Sequence, residues 1–149
     1  DTIQAAVLSV KMHHLDRYTR ARQSNAARYR TLFAASHLDD FCDLPAQDSQ
    51  AVHVYNQFGI RVRDGLRDAL IQYLQARSIG CEIYYPIPLH MQQCFKHLGY
   101  QPGSLPETER AAKEILHLPV YPELRIEEQL RVVEAIEQYY SAATIRQVA

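Results

Sequence analysis

Between Thr2 and Ala35 the chain contains neither glycine nor proline. Within that stretch Ile3, Ala6, Val7 and Val10, then Leu15 and Tyr18, then Ala26, Tyr29 and Phe33 recur mostly at three- and four-residue steps. This spacing predicts a long amphipathic helix, kinked near the adjacent His13 and His14 and interrupted on its apolar stripe by Arg22. About 33 residues in a helix extend roughly 50 Å, whereas a compact domain of this length has a radius of gyration of about 15 Å. The helix is therefore expected to overhang its own domain, leaving Ile3, Val7 and Val10 to be covered by something else. The chain starts at Asp1 without a methionine, which adds the expectation that it is a fragment of a larger protein. Asp1 is also a suitable N-cap for the helix that follows.

Beyond the link "LDDFCDLPAQDSQ" the pattern changes to alternation. In "AVHVYNQFGIRV" Val52, Val54, Phe58, Ile60 and Val62 fall on one face, which predicts a strand with Asn56 misplaced on its apolar side. Asp64 reads as the N-cap of a helix carrying Leu66, Ala69, Leu70, Tyr73 and Leu74, with Gly80 as its exit. "CEIYY" is a second predicted strand, "HMQQCFKHLGY" a helical turn, and "SLPETERAAKEIL" a helix whose Ser104 and Glu107 have capping-box spacing. "HLPVYP" is a third strand, ended by Pro122. "RIEEQLRVVEAIEQYYSAAT" is a last helix with Leu130, Val133, Ile136 and Tyr140 inward and Glu127 and Glu128 near its positive end. Short strands interleaved with helices predict an α+β two-layer sandwich, one face of a small sheet covered by helices.

Net charge narrows the partners. A formal charge of −1 and a pI near 6.7 provide no global attraction to nucleic acid or to an anionic membrane. The basic residues Lys11, Arg17, Arg20, Arg22, Arg28 and Arg30 do not fall on one narrow stripe and read as a solvated helix face. No apolar run approaches the roughly 20 residues of a membrane span, and no secretory leader pattern is visible. Cys42, Cys81 and Cys94 are an odd set without CxxC spacing, as expected of a soluble chain in a reducing cytoplasm.

Candidate chemistry concentrates in "EIYYPIPLHMQQCF", residues 82–95. Pro86 and Pro88 fix their own φ and hold Tyr85 and Ile87 extended. That stretch is either a stiffened strand exit or a rigid loop presenting Tyr84, Tyr85 and His90 to a ligand. The seven histidines are otherwise scattered; Cys94 and His97, three apart, are too few for a zinc site. Lys11, Lys96 and Lys113 lie on hydrophilic stretches that would not depress an amine for Schiff-base work. No phosphate loop, GxSxG or HExxH motif is present. On residues alone, a stand-alone α+β ligand-sensing or protein-interaction module fits as well.

Several segments, taken in order, resemble a known family. "DTIQAAVLSVKMHHLD", "NAARYRTLF", "HVYNQFGIRV", "LQARSIGCEIYYPIPLHMQQCFKHLGY", "PETERAAKEILHLPVYPEL" and "QLRVVEAI" are together similar to the C-terminal part of the DegT/StrS nucleotide-sugar aminotransferases. The resemblance implies the small domain of an aspartate-aminotransferase-like (fold type I) enzyme, with a small, mostly antiparallel sheet. Residues 1–149 would form that domain, 1–36 as a long connecting helix and 50–149 as the α/β sandwich. It implies a homodimeric, cytoplasmic parent that uses pyridoxal 5′-phosphate (PLP) to move an amino group, usually from glutamate, onto a nucleotide-linked keto-sugar for amino-sugar or surface-polysaccharide synthesis. The Schiff-base lysine would lie in an absent large domain, so no catalytic residue, bound cofactor or activity is expected of this chain alone. Tyr85 and Pro86 match the family's His-Tyr-Pro run at the substrate, while Tyr84 stands where many members have histidine; His90 is close enough in sequence to assist.

Overall fold

The computed structural model describes the backbone of residues 1–148 and the side chains through residue 142. The glycine- and proline-free stretch forms two helices, α1 (Thr2–Met12) and α2 (Leu15–Ala35), which meet at His13 and His14. The Asp1 carboxylate accepts from Ile3 N at 3.0 Å and caps α1. At the junction His14 N donates to Lys11 O at 2.9 Å, a tightened turn, before Tyr18 N resumes the helical pattern on His14 O. No residue of α1 is buried, and Ile3, Val7, Leu8 and Val10 all face solvent. The predicted overhang is present.

Three antiparallel strands form the sheet in the order β1 (Cys42–Asp43), β2 (Phe58–Val62), β3 (Ile115–Leu118). The remaining helices are α3 (Arg67–Gln75), α4 (Pro106–Glu114) and α5 (Ile126–Val148). Phe58, Ile60 and Val62 alternate inward on β2, joined by Leu116 and Leu118 from β3. Against this face pack Ala26, Tyr29 and Phe33 of α2, with the Tyr29 and Phe58 rings stacked at 5.1 Å, and Leu70 and Leu74 of α3 complete the core. On the other face Arg61 pairs with Glu114 through Nε at 2.9 Å. The architecture is the expected α+β small domain.

Polar groups fix how the helices sit on the sheet. Gln129 of α5 is fully buried; its amide donates to Asn25 O at 2.9 Å and its Oε1 accepts from Arg28 Nη1 at 2.6 Å. Asn25 donates to Tyr121 O at 2.8 Å, and the Tyr29 hydroxyl donates to Pro119 O at 3.1 Å. Helix α2 thus holds both α5 and the loop after β3. Arg22, Arg28 and Arg30, read from sequence as part of a solvated face, are half-buried and donate respectively to Val54 O, the Asn25–Gln129 pair and Pro45 O.

Several elements differ from the sequence reading. The strand expected from Ala51 starts only at Phe58, because Arg22 Nε and Gln23 Nε2 take the Val54 and His53 carbonyls and Tyr55 adopts a positive φ of 48°. Val52 and Val54 are exposed, as is Asn56. The "CEIYY" strand reduces to a single bridge between Glu82 and His117. The third strand covers Ile115–Leu118 and stops before Pro119, which has no N–H to pair. Asp64 is left-handed (φ 59°) and precedes the helix without capping it; Ser78 (φ 57°), rather than Gly80, supplies the helix exit, with Ile79 N returning to Leu74 O at 3.0 Å. At the start of α4 the capping-box role passes from Ser104 and Glu107 to Glu109, which accepts from Leu105 N at 3.3 Å. Leu130 points outward and Gln129 takes the inward position. The strand pair Cys42–Asp43 falls inside what reads as a link.

Removing the Asn25 amide leaves Tyr121 O and one Arg28 contact without their partner. Asn25→Ala is expected to lower the unfolding free energy by about 2 kcal/mol. Glu134→Ala, on the exposed face of α5, should stay within about 0.5 kcal/mol. Urea titration of both variants checks this, and equal midpoints would contradict the role given to Asn25.

Candidate functional site

Sheet geometry builds the site. His117 lies on β3 directly opposite Gly59 on β2. Its other backbone edge pairs with Glu82, through Glu82 N to His117 O at 3.1 Å and His117 N to Glu82 O at 2.9 Å. Beyond this single bridge the chain leaves the sheet, and Pro86 and Pro88, which follow, have no N–H to extend a ladder. A 3₁₀ turn at Leu89–Met91 and another at Gln93–Leu98 follow, the latter closed by Gly99 with φ 78°.

The three predicted site residues separate. Tyr84 is 52% exposed, and its ring stands edge-on to His117 with centroids 4.7 Å apart. Tyr85 is 68% exposed and projects towards solvent. His90 turns inward, 8% exposed, with Nε2 3.1 Å from Glu109 Oε1 and its ring edge-on to Tyr100. Glu109 accepts from Gly103 N through both oxygens at 2.9 Å. These bonds hold its carboxyl below the usual range, the Gly103 amide contributing most and His90 next. His90 thus braces the 3₁₀ segment against α4, beside an apolar hollow of about 430 Å³ lined by Leu89, Phe95, Leu98, Tyr100 and Leu105. The structure brings Tyr84 to His117 and keeps His90 apart from them.

A cavity of about 280 Å³ opens at Tyr84 and His117, with Asn56, Gln57, Glu82 and Tyr121 among its walls. Among the described residues no lysine or arginine lines it. His117 Nδ1 lies 3.2 Å from Glu82 O, and burial pushes the imidazole pKa down. A side chain at position 59 would crowd this ring: a Cβ there would sit 3.1 Å from His117 Nε2 and 2.9 Å from Ile115 Cδ1. Sequence reasoning missed His117 among seven scattered histidines. The available signal was Gly59, since a glycine inside a strand pattern often marks a close approach.

Other chemistries lack the means. Among the described residues no three His, Cys, Asp or Glu side chains converge for a metal. Burial raises the Cys42 and Cys81 thiols to about 11, so neither supplies a thiolate at neutral pH. Lys11, Lys96 and Lys113 are all exposed, so the residues present do not fit the enclosed Schiff-base site that PLP requires. No helix among the described residues is long and apolar enough to cross a membrane.

A family model described as the DegT/DnrJ/EryC1/StrS aminotransferase family matches residues 1–137. A "Pleiotropic regulatory protein" of Geobacillus stearothermophilus is 45% identical over 94% of this chain and 37% of its own length. The dTDP-3-amino-3,6-dideoxy-α-D-galactopyranose transaminase of Aneurinibacillus thermoaerophilus is 36% identical over 93% of this chain and 36% of its own. The crystal structure of S. venezuelae DesV in complex with a ketimine intermediate superposes with a TM-score of 0.83 at 32% identity, covering 91% of this chain and 35% of that one. The chain spans little more than a third of the length of these relatives.

The Glu109 contacts carry a pH signature. With a folded pKa below the unfolded value of about 4.3, the carboxylate stabilises the fold above that value, and the contribution disappears as pH falls through the lower, folded pKa. Glu109→Gln should therefore unfold at lower urea than the parent chain at pH 6, and the gap should close as pH is lowered through 4 and below. A gap that stays constant with pH would contradict this assignment.

Proposed function

The chain belongs to the DegT/DnrJ/EryC1/StrS aminotransferase family, and from that premise we propose that it is the smaller, C-terminal domain of a PLP-dependent aminotransferase acting on nucleotide-linked keto-sugars. The observation that carries the reading is the match, over 93% of this chain, to a relative named as a dTDP-amino-sugar transaminase. Glutamate is the proposed amino donor, and the proposed parent is a cytoplasmic homodimer. PLP would supply the electron sink for amino transfer and would be held by the remainder of the longer protein. This domain contributes recognition: Tyr85, rigidly presented ahead of Pro86 and open to solvent, hydrogen-bonds the sugar nucleotide, and Tyr84 forms part of the cavity wall. His90 supports them indirectly by bracing the loop onto Glu109. Their effect is orientation of the substrate rather than proton transfer.

A second reading, a regulatory or interaction module, draws on the name of the 45%-identical relative, a pleiotropic regulatory protein, and on the exposed apolar stripe of α1. Turnover separates the two. Full-length protein, PLP and glutamate should aminate a nucleotide-linked keto-sugar, with the product followed by mass spectrometry. Tyr85→Phe should lower kcat/KM about three- to tenfold, the worth of one hydrogen bond, without altering cofactor absorbance. Absence of turnover across dTDP- and UDP-linked keto-sugars favours the second reading, and full activity of Tyr85→Phe removes Tyr85 from the site.

A further inference from the structure

We propose that His117 is a substrate-binding residue whose Nε2 accepts a hydrogen bond from a hydroxyl of the sugar ring, in the cavity beside Tyr84. The inference rests on the sugar-aminotransferase reading and narrows it to the part of the substrate that this wall receives.

The tautomer follows from geometry. Nδ1 faces the Glu82 carbonyl oxygen at 3.2 Å, and a carbonyl can only accept, so Nδ1 carries the proton. In a neutral imidazole Nε2 is then a bare acceptor, and burial keeps this ring neutral by lowering its pKa. The ring is locked in place: both backbone groups of His117 are spent on Glu82, Gly59 lies beneath without a side chain, and Tyr84 closes in edge-on. Among the described residues Nε2 has no hydrogen-bond partner, and the residue borders the cavity.

The walls select the ligand chemistry. Asn56, Gln57, Tyr84 and Tyr121 offer neutral amides and hydroxyls, and among the described residues that line the cavity only Glu82 carries a formal charge. A nitrogen lone pair beside a carboxylate disfavours phosphate oxygens, which bring only further acceptors, and favours O–H donors. At about 280 Å³ the cavity is at the low end of small-molecule sites, suited to a single sugar ring rather than an entire nucleotide. The diphosphate would lie outside it.

Calorimetry on the full-length protein tests this, with dTDP-glucose and UDP-N-acetylglucosamine as probes and dTDP and UDP as their sugar-free counterparts. His117→Phe should weaken whichever sugar nucleotide binds the wild type by about three- to tenfold and leave the matching diphosphate unchanged. His117→Gln, whose amide oxygen can still accept near the Nε2 position, should stay within about threefold. A folding-independent readout uses the wild type: the His117 Nε2 resonance in ¹⁵N spectra should shift with the sugar nucleotide and not with the diphosphate. Equal losses for a sugar nucleotide and its matching diphosphate, no loss in His117→Phe, or an unresponsive Nε2 resonance would overturn the assignment while the aminotransferase reading stands. Failure of the wild type to bind either sugar nucleotide would remove that reading and the assignment together.

Discussion

The exchange between Asn25 and Gln129 holds the layers of this domain in register. Gln129 is completely enclosed, and a buried amide is tolerated only where its donors and acceptors are matched. Its partners all come from α2: the Asn25 carbonyl takes its amide protons, and Arg28 supplies the donor for its oxygen. The Asn25 side chain then reaches the Tyr121 carbonyl, while Tyr29 one turn on holds Pro119. A single helix therefore fixes α5 and the loop after β3, and that loop is one wall of the cavity at Tyr84 and His117. Apolar packing of Tyr29 and Phe33 brings the layers together, and the amide network decides how they sit.

Much of this was legible in the sequence wherever the cause is local. The stripes of α1 and α2, the inward alternation of Phe58, Ile60 and Val62, and the Asp1 cap all follow from spacing and side-chain chemistry. What escaped depends on residues distant in the chain. Val52 and Val54 alternate like a strand, yet Arg22 and Gln23 take the neighbouring carbonyls from about 30 residues away and no strand forms there. Leu130 is the natural inward choice by hydrophobicity, and it loses to Gln129 because Asn25, 104 residues earlier, satisfies the amide. The placements of His90 and His117 are likewise set by Glu109 and by Gly59 and Glu82, none of which is near them in the chain.

The family assignment gives these features a common purpose. In the proposed reading a loop stiffened by two prolines, two exposed tyrosines and a cavity that no lysine or arginine lines among the described residues would form one wall of the site, with no means of amino transfer on that wall. In the proposed enzyme the remaining walls and the cofactor come from the rest of the polypeptide, which would also cover the apolar stripe of α1. Such a division would be physically economical: rigid elements would orient the sugar here while the reactive chemistry would be supplied elsewhere.

The most direct test is a crystal structure of the full-length protein with a nucleotide-linked amino sugar bound. The account predicts a sugar hydroxyl within about 3 Å of His117 Nε2, with the Tyr85 hydroxyl on the same ligand. A ligand bound elsewhere, with the Tyr84–His117 cavity holding only water, would contradict it.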